Sequence, residues 1–294
     1  MDGCPRSDDG KPKADEANKE RKGSKMLFST IKKMANYCKE YQQQTRQIVS
    51  RSRSYLLPPS AAYVEKYADI LENATHLLIG GTTGSGKSVI LNGILHTALA
   101  LYGPGDMSFV LIDPKIVELS AYKRLPHTLR YETEPEEVLA LLRQIYGFMM
   151  DRYAEMDKTG AKKYNGTKIV IVIDELADLL MSAYGKAIKA ELVKILQKGR
   201  AANIMVIMAT QSPSRKVLSA ELVLNVPNRI ALYCDNAIES KQVIGCKGAE
   251  SLPWHGSCLY KYPGKGEPER LDGVPLFTDE EITERIRWWT KQAA

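Results

Sequence analysis

A doubly wound α/β fold on a mostly parallel sheet is expected from three features of this chain. Gly81-Thr82-Thr83-Gly84-Ser85-Gly86-Lys87-Ser88 fits G-x-x-x-x-G-K-[ST] at every fixed position and follows the apolar run His76–Gly80. Residues 168–173 (Lys-Ile-Val-Ile-Val-Ile) are a β-branched run ending at Asp174 and Glu175, the pattern of a parallel strand buried on both faces. Between such runs lie segments with apolar residues at helical spacing.

The elements follow in chain order. Residues 1–25 mix both charge signs with Gly, Pro and Ser and read as a disordered charged tail. Residues 26–59 form a basic helical segment and linker. There Lys32, Lys33, Lys39, Arg46, Arg51 and Arg53 face the single acid Glu40, either as a solvated helical face or as a docking segment for nucleic acid or a partner. The main domain is expected over residues 60–277, opening with an amphipathic helix from Ala61 to Asn73. A strand precedes the glycine-rich loop, and a helix starts at Lys87. The Gly103-Pro104-Gly105 turn leads into a second strand, Phe109–Asp113. Thr133 and Glu136 suggest a capping box for a helix carrying Val138, Leu142, Ile145 and Met149. After the Lys168–Glu175 strand, a helix from Lys186 to Ala202 exposes Lys186, Lys189, Lys194 and Lys198. Strands at 204–211 and 229–234 bring the expected total to five, and residues 278–294 form a C-terminal helix.

The chemistry follows from residue types. Glycines let successive N–H groups of the loop wrap a polyphosphate, and the helix N-terminus faces the same anion. Gly81 to Ser88 thus form the ATP cradle: Lys87 reaches the β/γ-phosphates, and the Ser88 hydroxyl ligates Mg²⁺. Asp174 suits the magnesium shell, and Glu175 suits the general base that polarises the attacking water. A carboxylate directly after the magnesium Asp favours hydrolysis over transfer to another acceptor. Thr210-Gln211 is either a γ-phosphate sensor or a polar strand end leading into the turn at Ser212-Pro213-Ser214.

Composition narrows the classes. The chain has 294 residues, 44% of them hydrophobic, with a net charge of +6 and pI near 8.9. That supports a sizeable core and permits a polyanionic partner. No apolar run reaches the ~18 residues of a membrane span. The five cysteines form no C-x-x-C pair, and the four histidines show no metal spacing, as expected of reduced thiols in a cytoplasmic protein.

Taken together, these segments resemble the FtsK/SpoIIIE DNA translocases. The resemblance rests on Gly81–Ser88, on Leu111-Ile112-Asp113-Pro114-Lys115 with Glu118-Leu119 and Pro126-His127, and on Asp174-Glu175-Leu176-Ala177-Asp178-Leu179. It continues through Lys198-Gly199-Arg200-Ala201-Ala202, Ala209-Thr210-Gln211 and Gly248–Leu252 before Cys258-Leu259-Tyr260. It covers about residues 70–278, in order and spacing. It implies a RecA-like P-loop NTPase core that uses ATP and Mg²⁺, forms a hexameric ring and pumps double-stranded DNA. It also implies an arginine finger at Arg200, reaching a neighbouring subunit's γ-phosphate; a helix-terminal Arg answering its own helix dipole is the alternative. Lys186, Lys189, Arg215 and Lys216 then either line the DNA channel or form solvated surface.

Departures from the family pattern are Ser212 where Arg is usual, His255–Tyr260 in place of G-x-G-D-M-L-Y, and a shorter loop before Lys168. Neither a membrane-spanning domain nor an orientation-reading winged-helix domain is expected among these residues. Besides a DNA translocase, the residues admit a coupling ATPase delivering DNA to a conjugation or secretion apparatus through a membrane-anchored partner, and a ring ATPase that engages protein.

Overall fold

A computed structural model of the chain describes residues 61–274 and 278–292. The expected tail (1–25) and basic segment (26–59) lie outside the described residues. Helix α1 (Ala61–Asn73) leads into β1 (Leu77–Gly80), and α2 (Lys87–Leu101) follows the glycine-rich loop. Next come β2 (Met107–Ile112), a 3-10 turn (Ser120–Arg124), β3 (Thr128–Glu132) and the long α3 (Pro135–Thr159). The chain continues through β4 (Lys168–Ile173), α4 (Leu176–Met181), α5 (Gly185–Lys198), β5 (Ile204–Thr210), α6 (Ala220–Leu224) and β6 (Asn228–Ala231). It closes with α7 (Ala237–Ile244), β7 (Ser257–Lys261), β8 (Glu269–Asp272) and α8 (Asp279–Gln292).

These strands form one eight-stranded sheet in the order β3-β2-β4-β5-β1-β6-β7-β8. The first six in this order run parallel; β7 and β8 pair antiparallel at the edge. Alternation within the buried strands sorts their side chains to two faces. Ile169, Ile171 and Ile173 of β4 join Val206 and Met208 of β5 under α3, α4 and α5. Val170, Val172, Met205, Ile207 and Ala209 face the opposite layer, with α1, α2 and α8. Strands buried on both faces in this way carry polar residues only at their ends, Lys168 and Thr210, which is why the sequence shows runs there instead of alternation.

β1 lies between β5 and β6, so the chain crosses the sheet on both sides of it. The carboxyl ends of β1, β5 and β4 form the crevice where open α/β sheets hold ligands.

The expected five strands fall short of the observed eight. β3 and β8 are short edge strands rich in Thr, Arg, Glu and Asp, and β7, paired between β6 and β8, is a five-residue Ser-Cys-Leu-Tyr-Lys segment; none carries a long apolar run. The expected 229–234 strand pairs only as far as Ala231. Beyond it the chain still hugs the glycine-rich loop: the Leu232 N–H donates to Gly80 at 2.9 Å, and the Thr82 N–H donates to Tyr233 at 2.9 Å. The Thr133 capping box is corrected. Glu134 is the N-cap, Pro135 holds the first turn, and no side chain caps it. Helix α5 stops at Lys198, not Ala202, because residues 200–203 turn through a left-handed Asn203 with φ 57°.

Candidate functional site

Two glycines give the loop after β1 its shape. Gly84 (φ 80°) and Gly86 (φ 101°) occupy the left-handed region, and the loop wraps back over the start of α2. A Cβ at Gly81 would meet Ser85 Oγ at 2.7 Å and Leu232 Cβ at 2.9 Å, so the cradle is closed to any larger residue. Lys87 folds over it, donating to the carbonyls of Gly81 (2.7 Å) and Thr82 (2.9 Å). Burial lowers its ammonium to about 8, against the pull of Glu175 and Asp174. Ser85 Oγ is buried without a hydrogen-bond partner. The Ser85 hydroxyl and the Lys87 ammonium are donors that a phosphate in this loop would engage. Ser88, half-buried, sits one residue beyond Lys87 on the first turn of α2.

Across β5, Asp174 and Glu175 leave the end of β4. Asp174 is pushed up to about 7, first by burial and then by the neighbouring carboxylates Glu118, Asp113 and Glu175. A carboxyl in that state gains from a cation beside it. Glu175 is 2% exposed and caps α4 by accepting the Ala177 N–H at 3.2 Å. Its Oε1 also accepts from the Thr210 hydroxyl at 2.9 Å, and the Gln211 N–H reaches both carboxylate oxygens. The Gln211 side chain turns the other way and accepts from the Thr83 hydroxyl at 2.8 Å. Thus the end of β5 links the acid of β4 to the loop of β1.

Ser88 and Asp174 offer a hydroxyl and a carboxylate. Among the described residues no group of three or more His, Cys, Asp or Glu gathers to hold a metal. Two oxygen donors fit Mg²⁺, which keeps several waters and binds partly through substrate phosphates.

The site also contains residues that the sequence reading gave no role. Lys115 lies 3.6 Å from both Glu175 and Asp178. It is aimed there by Asp113, whose carboxylate accepts the N–H groups of Val117 and Leu119 and the Tyr131 hydroxyl. Ile116 takes φ 58° in that loop, an uncommon conformation for a β-branched residue and one that clusters at functional sites. The signal for Lys115 was present in Asp113-Pro114-Lys115, which carried the family resemblance without a site role. Trp254, 48% exposed, lies beside Gly84 and tilts against Tyr233 with ring centroids 4.9 Å apart. An apolar pocket of about 350 Å³ opens beside the loop, lined by Ser85, Gly86, Val89, Leu232, His255 and Val274, and suits a planar base.

The remaining residues named from sequence divide between the two ends of the sheet. Lys186 opens α5 on the crevice side, and Lys189, one turn on, pairs with Glu221 at 3.9 Å. Arg215 lines a cleft of about 580 Å³ with Thr82, Thr83 and Gln211, and Lys216 is exposed beside it. Arg200 is exposed at the start of β5, at the opposite end of the sheet from the loop. A strand of seven residues separates it from Gln211, about 20 Å.

A glycine-rich loop on β1, paired acids on β4 and a polar strand end on the intervening β5 define a P-loop NTPase of RecA-like architecture. Residues 40–168 match the FtsK/SpoIIIE family. The chain is 37% identical over 244 residues to a DNA translocase FtsK of Streptococcus agalactiae, covering 76% of this chain and 30% of that protein. With a DNA translocase FtsK of Lactococcus lactis it shares 36% over 230 residues, 71% of this chain and 30% of the relative. The chain belongs to the FtsK/SpoIIIE family and spans about three-tenths of the length of these curated relatives. Two solved structures share the fold. The pCW3 conjugation coupling protein TcpA, with ATPgS, aligns at TM-score 0.64 and 24% identity, over 74% of this chain and 66% of its own. The cytoplasmic domain of the Type VII secretion ATPase EccC of Thermomonospora curvata aligns at 0.61 and 24%, over 75% and 28%. Among the described residues no helix is long and apolar enough to cross a membrane.

Proposed function

We propose that this chain is an ATP-hydrolysing motor that moves along double-stranded DNA as a hexameric ring. The observation that carries the reading is the junction at the end of β5, where Thr210 and Gln211 join Glu175 to Thr83 of the phosphate loop. Such a junction couples the hydrolytic centre to a strand through the middle of the sheet, as a motor requires and a passive nucleotide-binding protein does not.

In this mechanism Lys87 leaves the Gly81 and Thr82 carbonyls to meet the β- and γ-phosphates, and Ser85 Oγ gains its partner there. Ser88 and Asp174 hold Mg²⁺, which supplies charge neutralisation on the phosphates. Glu175 Oε2, which accepts one backbone N–H and forms an ion pair with Lys115 at 3.6 Å, has a lone pair for the attacking water and takes its proton. Gln211 exchanges Thr83 for the γ-phosphate and so registers its loss. Arg200 lies too far from its own loop to act there, which supports a role as a finger at a neighbouring subunit's phosphate. Lys186, Arg215 and Lys216 meet DNA phosphates; Lys189 does so only by releasing Glu221.

The identity of 36–37% to DNA translocases favours duplex DNA as the cargo, whereas the two solved neighbours share the fold and do not choose between DNA and protein. The test is ATP turnover against rising duplex concentration at several salt concentrations. Stimulation by duplexes of unrelated sequence, weakening steeply with salt, is expected. Turnover stimulated only by a protein would replace the DNA reading with a protein-handling one.

A further inference from the structure

Arg200 does not stand alone at its end of the sheet. The last turn of α1, the loop before β4 and the turn before β5 enclose a polar cleft of about 130 Å³, lined by Glu72, Asn73, Lys163, Lys168, Arg200 and Asn203 among others. A water claims about 30 Å³ of liquid, so the cleft has room for one tetrahedral anion. Three cations meet one carboxylate there.

The walls are braced from behind. Arg152 of α3, 2% exposed, donates to the carbonyls of Ala202 (2.6 Å), Asn203 (3.3 Å) and Thr167 (2.8 Å). Its guanidinium lies over the rings of Phe148 and Tyr164, 4.5 and 4.3 Å from their centroids. The Tyr164 N–H donates to Ala201 at 2.8 Å, and the Asn203 side-chain amide donates to Gly166 at 2.7 Å. Consequently the loop bearing Lys163 and the turn bearing Arg200 form one rigid unit. Lys168 donates to the Leu71 carbonyl, and burial first and Lys163 second lower its ammonium to about 8, a shift that an anion beside it would oppose. Three cations carried on braced backbone around a phosphate-sized space, a strand's length from the chain's own loop, point to a phosphate brought by another molecule.

We propose that this cleft receives the terminal phosphate of a nucleotide held by a second copy of the chain, with Lys163 and Lys168 closing on it beside Arg200. This rests on the ring reading above. As the water oxygen bonds to phosphorus, its proton passes to Glu175 of the copy holding the nucleotide. The bridging P–O bond breaks with its electron pair going to the diphosphate, and the two ammoniums stabilise the charge gathering on the phosphoryl oxygens.

The test compares the wild-type chain with a Lys163→Ala/Lys168→Met double variant in three measurements: affinity for a fluorescent ATP analogue, ATP turnover without DNA, and duplex affinity. Unchanged nucleotide affinity with turnover down about tenfold or more is expected, as is partial recovery on mixing with Glu175→Gln subunits. Unchanged turnover overturns the proposal. So does lost duplex affinity with intact turnover, which would assign the cleft to DNA phosphates, and so does absence of recovery in assemblies shown to be mixed. If the double variant fails to fold, Lys163→Ala alone, at an exposed position, decides on the same readouts, with a several-fold loss expected. A wild-type chain whose turnover per subunit is unaffected by dilution to monomers overturns the ring reading and this inference together, and the variant is not needed to see it.

Discussion

The backbone N–H of Gln211 donates to both carboxylate oxygens of Glu175, at 3.2 and 3.0 Å. Together with the Thr210 hydroxyl at 2.9 Å, this holds a buried carboxylate across β5 from the glycine-rich loop, and the proposed base role rests on that position. Geometry of this kind separates holding a nucleotide from cleaving it. Glu175→Gln is therefore expected to keep ATP affinity within a few-fold and lower turnover by about 10²–10⁴. Lys87→Ala, which removes the cation over the cradle, should abolish binding itself. Equilibrium binding and single-turnover hydrolysis on the two variants check this, and near wild-type turnover by Glu175→Gln would remove it from the base role.

Gln211 joins Thr83 through its side chain and Glu175 through its backbone. Gln211→Ala deletes only the first link. ATP and ADP affinities should stay close to wild type, while turnover falls and its stimulation by DNA is lost. Stimulation that survives at the wild-type ratio would mean that Gln211 senses nothing.

Acid should unfold this domain early. Burial lowers His76 and His127 to about 4 and His96 to about 3, each from 6.5. The folded values lie below the unfolded one, so unfolding takes up protons. Stability is full above about 6.5 and is lost as pH falls toward 4. Each histidine contributes about 1.4 kcal/mol per pH unit within that window, and the three together about 4. The Asp174 carboxyl, raised to about 7, titrates there in the opposite sense and offsets about 1.4 of it. Denaturant titrations at pH 7.5 and 5 should show the loss. His127→Gln should reduce the slope by about 1.4 kcal/mol per pH unit, and an unchanged slope would contradict the assignment.

Helix α8 is part of the core. Trp289, 3% exposed, donates its indole N–H to Leu99 at 3.1 Å and meets His127 edge-on, ring centroids 4.5 Å apart. Trp289→Ala should cost about 3–5 kcal/mol and lower Tm by about 10 °C. Trp289→Phe keeps an aromatic ring there and loses the hydrogen bond, so about 1 kcal/mol of its cost comes from that bond. Calorimetry on both variants tests this; a Tm unmoved by Trp289→Ala would mean that α8 does not dock.

The sequence exposed the centre of the sheet and hid its edges. β1, β2, β4 and β5 are buried on both faces, and their apolar runs announce them. Thr128–Glu132 and Glu269–Asp272 are edge strands with polar residues, and Ser257–Lys261, one strand in from the edge, sets only Cys258-Leu259-Tyr260 between two polar ends, so the composition of each resembles that of a loop. Within the site, motif spacing picks out Gly81 to Ser88, Asp174 and Glu175, which the fold sets at the carboxyl ends of β1 and β4 on either side of β5. Lys115 was not legible, because its role arises from the turn that Asp113 imposes and from a sheet order that sets β2 beside β4. Nor was the brace at Arg152, whose carbonyl partners lie 15 to 51 residues along the chain.

Displacement of a third strand from a triplex-bearing duplex, followed in time with the full chain and ATP, tests most directly whether the site drives movement on DNA. The account predicts displacement that requires ATP, proceeds on duplexes of unrelated sequence and disappears with Glu175→Gln. ATP hydrolysis at full rate with the third strand left in place would contradict it.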